Sequence, residues 1–101
     1  MRFRLLDAAL NELRGTTRHY RKIRPELGVK FKDAVMSAFD RIEMWPLSGT
    51  KADGNVRICR LKRFPYGLVY VSRETEIVIV AVMHLHRRPG YWKRRLKDLG
   101  P

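Results

Sequence analysis

Apolar residues recur along this chain at two different periods, and the change near residue 55 divides it into a helical half and a strand half. Leu6, Leu10, Leu13, Thr17 and Tyr20 follow at steps of four and three, the spacing that lines one face of a helix. Asp7 is placed to cap its start, because a short carboxylate can accept from the free amides of the first turn. The pattern runs to about Ile23, with Gly15 its weakest position. Arg24-Pro25 then breaks it, since a residue before proline avoids the helical region. From Pro25 or Glu26 onward, Leu27, Phe31, Val35, Ala38, Ile42 and Trp45 form a second stripe, which Pro46 ends. Two helices joined so tightly read as an αα-hairpin.

Residues 48–55 are polar and read as a loop. Beyond them Val56 to Phe64, Tyr66 to Ser72 and Glu76 to His84 read as strands, with short connections that predict antiparallel pairing. Arg2 to Leu5 reads as one more short strand. Ile77 to Met83 is apolar at every position, the mark of a strand covered on both faces. The helical hairpin can cover one face; a partner protein is the expected cover for the other. The expected fold is therefore α+β, a single domain over residues 1–101. A short N-terminal strand and an αα-hairpin pack on an antiparallel sheet of three to four strands. The basic tail from Arg87 to Pro101 is expected as a short helix or an extended arm.

Charge changes this picture from fold to function. Lys and Arg number 22 against 10 Asp and Glu, a net charge of +12. The excess is uneven: residues 1–54 hold eleven cations and seven acids, whereas residues 55–97 hold eleven cations and only Glu74 and Glu76. So one-sided a field attracts nucleic acid, acidic protein or an anionic surface. It suits a chain that grips a large partner better than one that processes a small metabolite. No apolar run is long enough to span a bilayer, and no basic amphipathic helix points to a membrane surface. The lone Cys59 excludes an intramolecular disulfide and suits a reducing cytosol.

Candidate chemistry is sparse. His84 and His86 lie two apart and share a side of a strand, but with His19 on a distant helix they do not make a metal site of three or four ligands. No metal or cofactor is expected. There is no glycine-rich phosphate loop and no paired-carboxylate arrangement. What remains is cationic: Arg57, Arg60, Lys62 and Arg63 on and after one strand, His84, His86, Arg87 and Arg88 at the end of another, then Lys93, Arg94, Arg95 and Lys97. Arginine forks suit phosphates and carboxylates. Tyr91 and Trp92 are placed to stack on bases or to fill a protein pocket, or simply to dock the tail on the core.

Several segments in order resemble the RelE/ParE superfamily of bacterial toxins. They are Asp7-Ala8-Ala9-Leu10 with Glu12-Leu13, Arg24-Pro25-Glu26-Leu27-Gly28 with Phe31, Ile42 and Pro46, Arg63-Phe64-Pro65-Tyr66 with Val69-Tyr70, and Ile79-Val80-Ala81-Val82 with His84, Arg87 to Trp92 and Arg94. The resemblance covers essentially the whole chain. It implies the toxic half of a type II toxin–antitoxin pair, cytoplasmic and bacterial, in a hetero-oligomer with a cognate antitoxin that wraps and neutralises it. The superfamily divides by activity. ParE-like members bind DNA gyrase and trap its cleaved-DNA intermediate without chemistry of their own; the Phe64-Pro65-Tyr66 turn and the Arg87 to Trp92 ending resemble this branch. On that reading Arg60, Arg63, His86, Arg87, Arg88, Tyr91, Trp92, Lys93, Arg94 and Arg95 form the target-binding set. RelE-like members cut messenger RNA in the ribosome, and on that reading Arg60 and Arg63 hold phosphate, His84 or His86 moves protons and Tyr91 stacks on or orients a base. A third expectation, independent of the resemblance, is a non-toxic nucleic-acid-binding accessory domain.

Overall fold

The computed structural model describes residues 2–100. Its elements run β1 (Arg2–Leu5), α1 (Asp7–Ile23), α2 (Pro25–Met44), β2 (Thr50–Asp53), β3 (Val56–Arg60), β4 (Tyr66–Ser72), β5 (Glu76–His84) and a C-terminal 3₁₀ helix (Lys93–Leu99). The α+β class and the helical hairpin are as the periodicity predicts. The sheet is larger than expected: five strands in the order β1-β5-β4-β3-β2, not three or four. It is also mixed, because β1 pairs parallel with β5 while the rest is an antiparallel meander.

The helical hairpin has almost no linker. Arg24 is extended (φ −156°, ψ 138°) and serves as the end of α1 and the start of α2, with Pro25 in the first helical position. Pro25 forces that extended geometry on its neighbour and loses nothing itself, since the first amides of a helix have no partner within it. The helices approach closely at Gly28, where a Cβ would lie 3.0 Å from that of Arg21. Asp7 is not the cap the sequence suggests. Leu6 precedes the helix, and its amide donates to the Ile79 carbonyl at 3.1 Å, so α1 starts directly from the sheet. Asp7 sits in the first turn, where the helix dipole favours a carboxylate.

Hairpin and sheet meet along the predicted stripe. Phe31, Val35, Ala38 and Ile42 are buried against Leu68, Tyr70, Ile77 and Ile79. Burial of each such side chain is worth roughly 1.5–3 kcal/mol. Tyr20, Phe31, Phe64 and Tyr66 form an aromatic cluster at one end, with ring centroids 5.0–6.3 Å apart. At the other end the Tyr70 hydroxyl donates to the Pro46 carbonyl at 2.7 Å and accepts from the Gly49 amide at 3.1 Å, tying the exit of α2 to the sheet. Trp45, the last position of the stripe, falls just past α2 and is 62% exposed.

Three more expectations are corrected. Within the stretch read as a polar loop, Thr50–Asp53 forms an edge strand, because its backbone pairs with β3 across a tight turn at Gly54-Asn55. The strand expected over Val56 to Phe64 stops at Arg60. Leu61 to Pro65 folds back as a loop in which Arg63 takes φ +71°. The second face of β5 is covered by the chain itself: Trp92 is 2% exposed, and Leu96 and Leu99 pack on the same core. The tail thus supplies the cover expected of a partner.

Candidate functional site

The tail is held by a carboxylate. β1 ends at Leu5, opposite Ile79, so the β1-side edge of β5 beyond that point has no strand beside it. Val80 is an extra residue there, since Ala81 pairs with Val69 and Ile79 with Tyr70. The bulge turns backbone groups toward α1 and the tail. The Val82 amide donates to Glu12 Oε1 at 3.0 Å, and the Val80 carbonyl accepts from Arg95 at 3.0 Å. Arg95 grips both Glu12 oxygens at 2.8 and 2.9 Å, and the Tyr91 hydroxyl donates to Glu12 Oε2 at 2.8 Å. One α1 carboxylate therefore replaces the missing strand and clamps the tail to it. Burial, then the hydrogen bond to Glu12, raises the pKa of Tyr91 well above the ordinary phenol value. The same carboxylate raises that of Arg95. The Arg87 guanidinium lies 4.0 Å over the Tyr91 ring, with Arg95 5.2 Å away.

This divides the target-binding set in two. Tyr91, Trp92 and Arg95 serve the fold, as tail aromatics that dock on the core. Arg60, Arg63, His86, Arg87, Arg88, Lys93 and Arg94 are exposed. The four residues proposed for RNA cleavage are not brought together. His84 pairs with Tyr66 across the sheet, and their rings are 5.0 Å apart on the face that carries the helices. Its Nδ1 accepts from the His86 amide at 3.1 Å. Arg60 lies on the opposite face, Arg63 on the β3–β4 loop, and the Tyr91 phenol is bound to Glu12. No group of three His, Cys, Asp or Glu side chains is placed to hold a metal among the described residues.

On the tail-covered face the structure leaves a groove of about 350 Å³ between the tail and the β2–β3 hairpin. Ile58, Met83, Leu85 and Trp92 give it an apolar floor, and Thr50 and Ala52 of β2 form one wall. Arg60, Arg87 and Lys93 stand at its rim. Lys93 reaches across to Asp53 of β2 at 3.7 Å, both side chains being more than half exposed. Sequence reasoning found the rim cations but missed Glu12 as a working residue and the groove as a place. The only sequence signal for Glu12 is an acid beside the buried Ala9 on the apolar side of α1. Nothing local names Arg95, 83 residues away, as its partner.

Among known families, the model of the ParE toxin of the type II toxin–antitoxin system parDE matches residues 3–89. No curated protein gives a significant sequence match. Among solved structures, one described as the chromosomal ParDE TA system from P. aeruginosa superposes with a TM-score of 0.71, covering 83% of this chain and 95% of that one. At 19% identity the likeness is one of fold. The residues that clamp the tail, Tyr91 and Arg95, and the buried Trp92 lie beyond the matched span.

Proposed function

Because the chain belongs to the ParE toxin family of type II toxin–antitoxin systems, we propose that it arrests bacterial growth by binding and poisoning DNA gyrase, and that a cognate antitoxin neutralises it. It acts in the cytoplasm as a binder and not as a nuclease. The observation that carries this choice is the occupation of Tyr91 by Glu12 and the placement of His84 on the helical face. Cleavage at a ribose 2′-hydroxyl needs a proton acceptor and a proton donor on either side of one phosphate. Of the groups named for that chemistry, the Tyr91 hydroxyl is engaged by the Glu12 carboxylate and His84 lies on the sheet face opposite Arg60. Gripping a macromolecule needs no such pair, only exposed charge of the right sign, and Arg60, Arg63, Arg87, Arg88 and Arg94 are all exposed. No helix of the chain is long and apolar enough to cross a membrane, among the described residues.

The test uses purified protein, purified gyrase, ATP and supercoiled plasmid, with linear DNA read after denaturation and protease treatment. Linear plasmid that accumulates only with both proteins present supports gyrase poisoning, and His84→Ala is then expected to keep full activity. A protein that arrests growth yet yields no linear DNA overturns the gyrase reading. Cleavage of messenger RNA in a translation extract, abolished by His84→Ala, would put the ribosome in its place.

A further inference from the structure

The helical hairpin carries a second group of cations, away from the tail. Between Glu12 and Glu26 the chain has five Arg or Lys residues and no acid. Arg14, Arg18 and Arg21 follow at steps of four and three, so they stand on one side of α1. Lys32 of α2 joins them around a crevice of about 350 Å³. All four side chains are exposed, and none has a hydrogen bond or an ion pair among the described residues. The acids nearest in sequence are engaged elsewhere, Glu12 on the tail and Glu26 on Arg24 at 3.4 Å. Asp33 lines a different crevice, beside Lys62 and Arg63.

This cluster does nothing for the fold. Like charges three and four residues apart on a helix repel and weaken it. Gly28 lets α2 pass close to Arg21, so the cations of both helices are carried on one hairpin. Thr17, which also lines the crevice, donates its hydroxyl to the Leu13 carbonyl at 2.7 Å. The side-chain donors left for a ligand are therefore the four cations.

We propose that this face of the hairpin seats the phosphate backbone of double-stranded DNA. At roughly 1.5 Å per residue, Arg14 to Arg21 span about 10 Å. One strand of the duplex carries a phosphate about every 3.4 Å along its axis, so the row meets about three phosphates. Lys32 adds a contact from the neighbouring helix. Such contacts hold and orient a duplex without reading its sequence.

The surface favours a duplex over other anions. Single strands are held by stacking on exposed aromatic rings as well as by charge, and no residue lining the crevice is aromatic. A helix that lies on an anionic membrane buries an apolar face there. The apolar side of α1 is already packed on the core through Ala9, Leu13 and Tyr20. The exposed side chains of the crevice are all cations, which suits a polyanion of uniform charge.

The experiment titrates the full chain into a fluorescein-labelled duplex of about 20 base pairs and mixed sequence, and follows anisotropy across a salt series. The hairpin variant is Arg14→Gln/Arg18→Gln/Arg21→Gln/Lys32→Gln. The control, Arg60→Gln/Arg87→Gln/Arg88→Gln/Arg94→Gln, removes the same charge from exposed sites off the hairpin. All eight side chains are exposed, so thermal melts of both variants are expected to stay near wild type. The hairpin variant is expected to bind at least about 30-fold more weakly at about 50 mM salt, and to lose about three units of the slope of log K against log salt. The control is expected to stay within about threefold of wild type and to lose less than about one unit. Equal weakening of both variants, or a hairpin variant that binds like wild type, overturns the seat. Tighter binding of the matching single strand overturns the choice of a duplex. Displacement of the duplex by poly-glutamate at equal charge overturns the choice of DNA and puts an acidic protein in its place. Neither gyrase nor an antitoxin enters this assay, so its failure leaves the gyrase reading intact, and failure of that reading leaves this one standing.

Discussion

Glu12→Ala is expected to be the most damaging single substitution of a polar residue in this chain. Its carboxylate accepts four hydrogen bonds, from the Val82 amide, the Tyr91 hydroxyl and twice from Arg95. Hydrogen bonds to charged groups are worth roughly 1.5–3 kcal/mol each, but they do not simply add. Arg95 and Tyr91 are only partly buried, so water recovers part of what they lose. Val82 is 3% exposed, so little water can replace the acceptor that its amide loses. Breaking a buried ion pair by removing one partner costs about 3–5 kcal/mol. With Arg95 20% exposed, the lower end applies, about 3 kcal/mol. For a domain of this size that lowers Tm by roughly 12–20 °C.

The assay is equilibrium urea unfolding followed by tryptophan emission, with Arg95→Ala and the double variant completing a cycle. Glu12→Gln keeps the shape but turns one acceptor into a donor facing Arg95, so it is expected to lose about 2 kcal/mol. The Glu12–Arg95 coupling is expected to exceed about 1 kcal/mol. A Glu12→Ala variant within about 1 kcal/mol of wild type, or strictly additive single effects, would refute the reading of Glu12 as the clamp that replaces a strand and holds the tail.

Arg63→Gly is expected to raise stability by about 0.5–1 kcal/mol while weakening partner binding: a left-handed backbone costs a non-glycine residue about 1–2 kcal/mol, and the greater unfolded freedom of glycine returns part of the gain. Urea midpoints and a binding titration check both halves. Tyr91 ionisation is expected to lag that of free tyrosine in a spectrophotometric alkaline titration. The stability it contributes is complete below the ordinary phenol value, about 10, and is lost as pH rises through the raised folded value. Glu76, whose carboxyl is held below its ordinary value by hydrogen bonds from Arg2 and Arg4, has the opposite sign. Its contribution is present above the ordinary carboxylate value and disappears as pH falls through the lowered one, so Glu76→Gln is expected to flatten the acid limb of the stability–pH curve.

The helices, β4 and β5 were legible because their apolar patterns are local, whereas β3 was legible only in its first five residues, Val56–Arg60. Arg24-Pro25 named its own turn. β2 was not legible, since all four of its residues are exposed, and only pairing to β3 makes Thr50–Asp53 a strand. The parallel docking of β1 was hidden for a similar reason: four residues carry no mark of which strand they will join. At the site, the cations were visible as a count but not as an arrangement. Which of them the fold consumes depends on contacts across 83 residues, between Glu12 and Arg95, that no local pattern encodes.

The same two contacts explain how a chain with so much like charge folds at all. Strong net charge opposes compaction, and this chain places a carboxylate where each end of the polypeptide meets β5. Glu76 takes Arg2 and Arg4 from β1 as well as Arg73, and Glu12 takes Arg95 from the tail. These two acids fasten the segments that complete the sheet and cover its second face. They spend four arginines in doing so. The exposed cations Arg60, Arg87, Arg88 and Arg94 make no such ion pair among the described residues. Charge that the fold leaves unanswered on a rigid face is charge that an acidic partner can answer. Neutralisation by such a partner would therefore relieve the repulsion that the free toxin carries, and the complex is expected to be more stable than the chain alone by more than its buried apolar area accounts for.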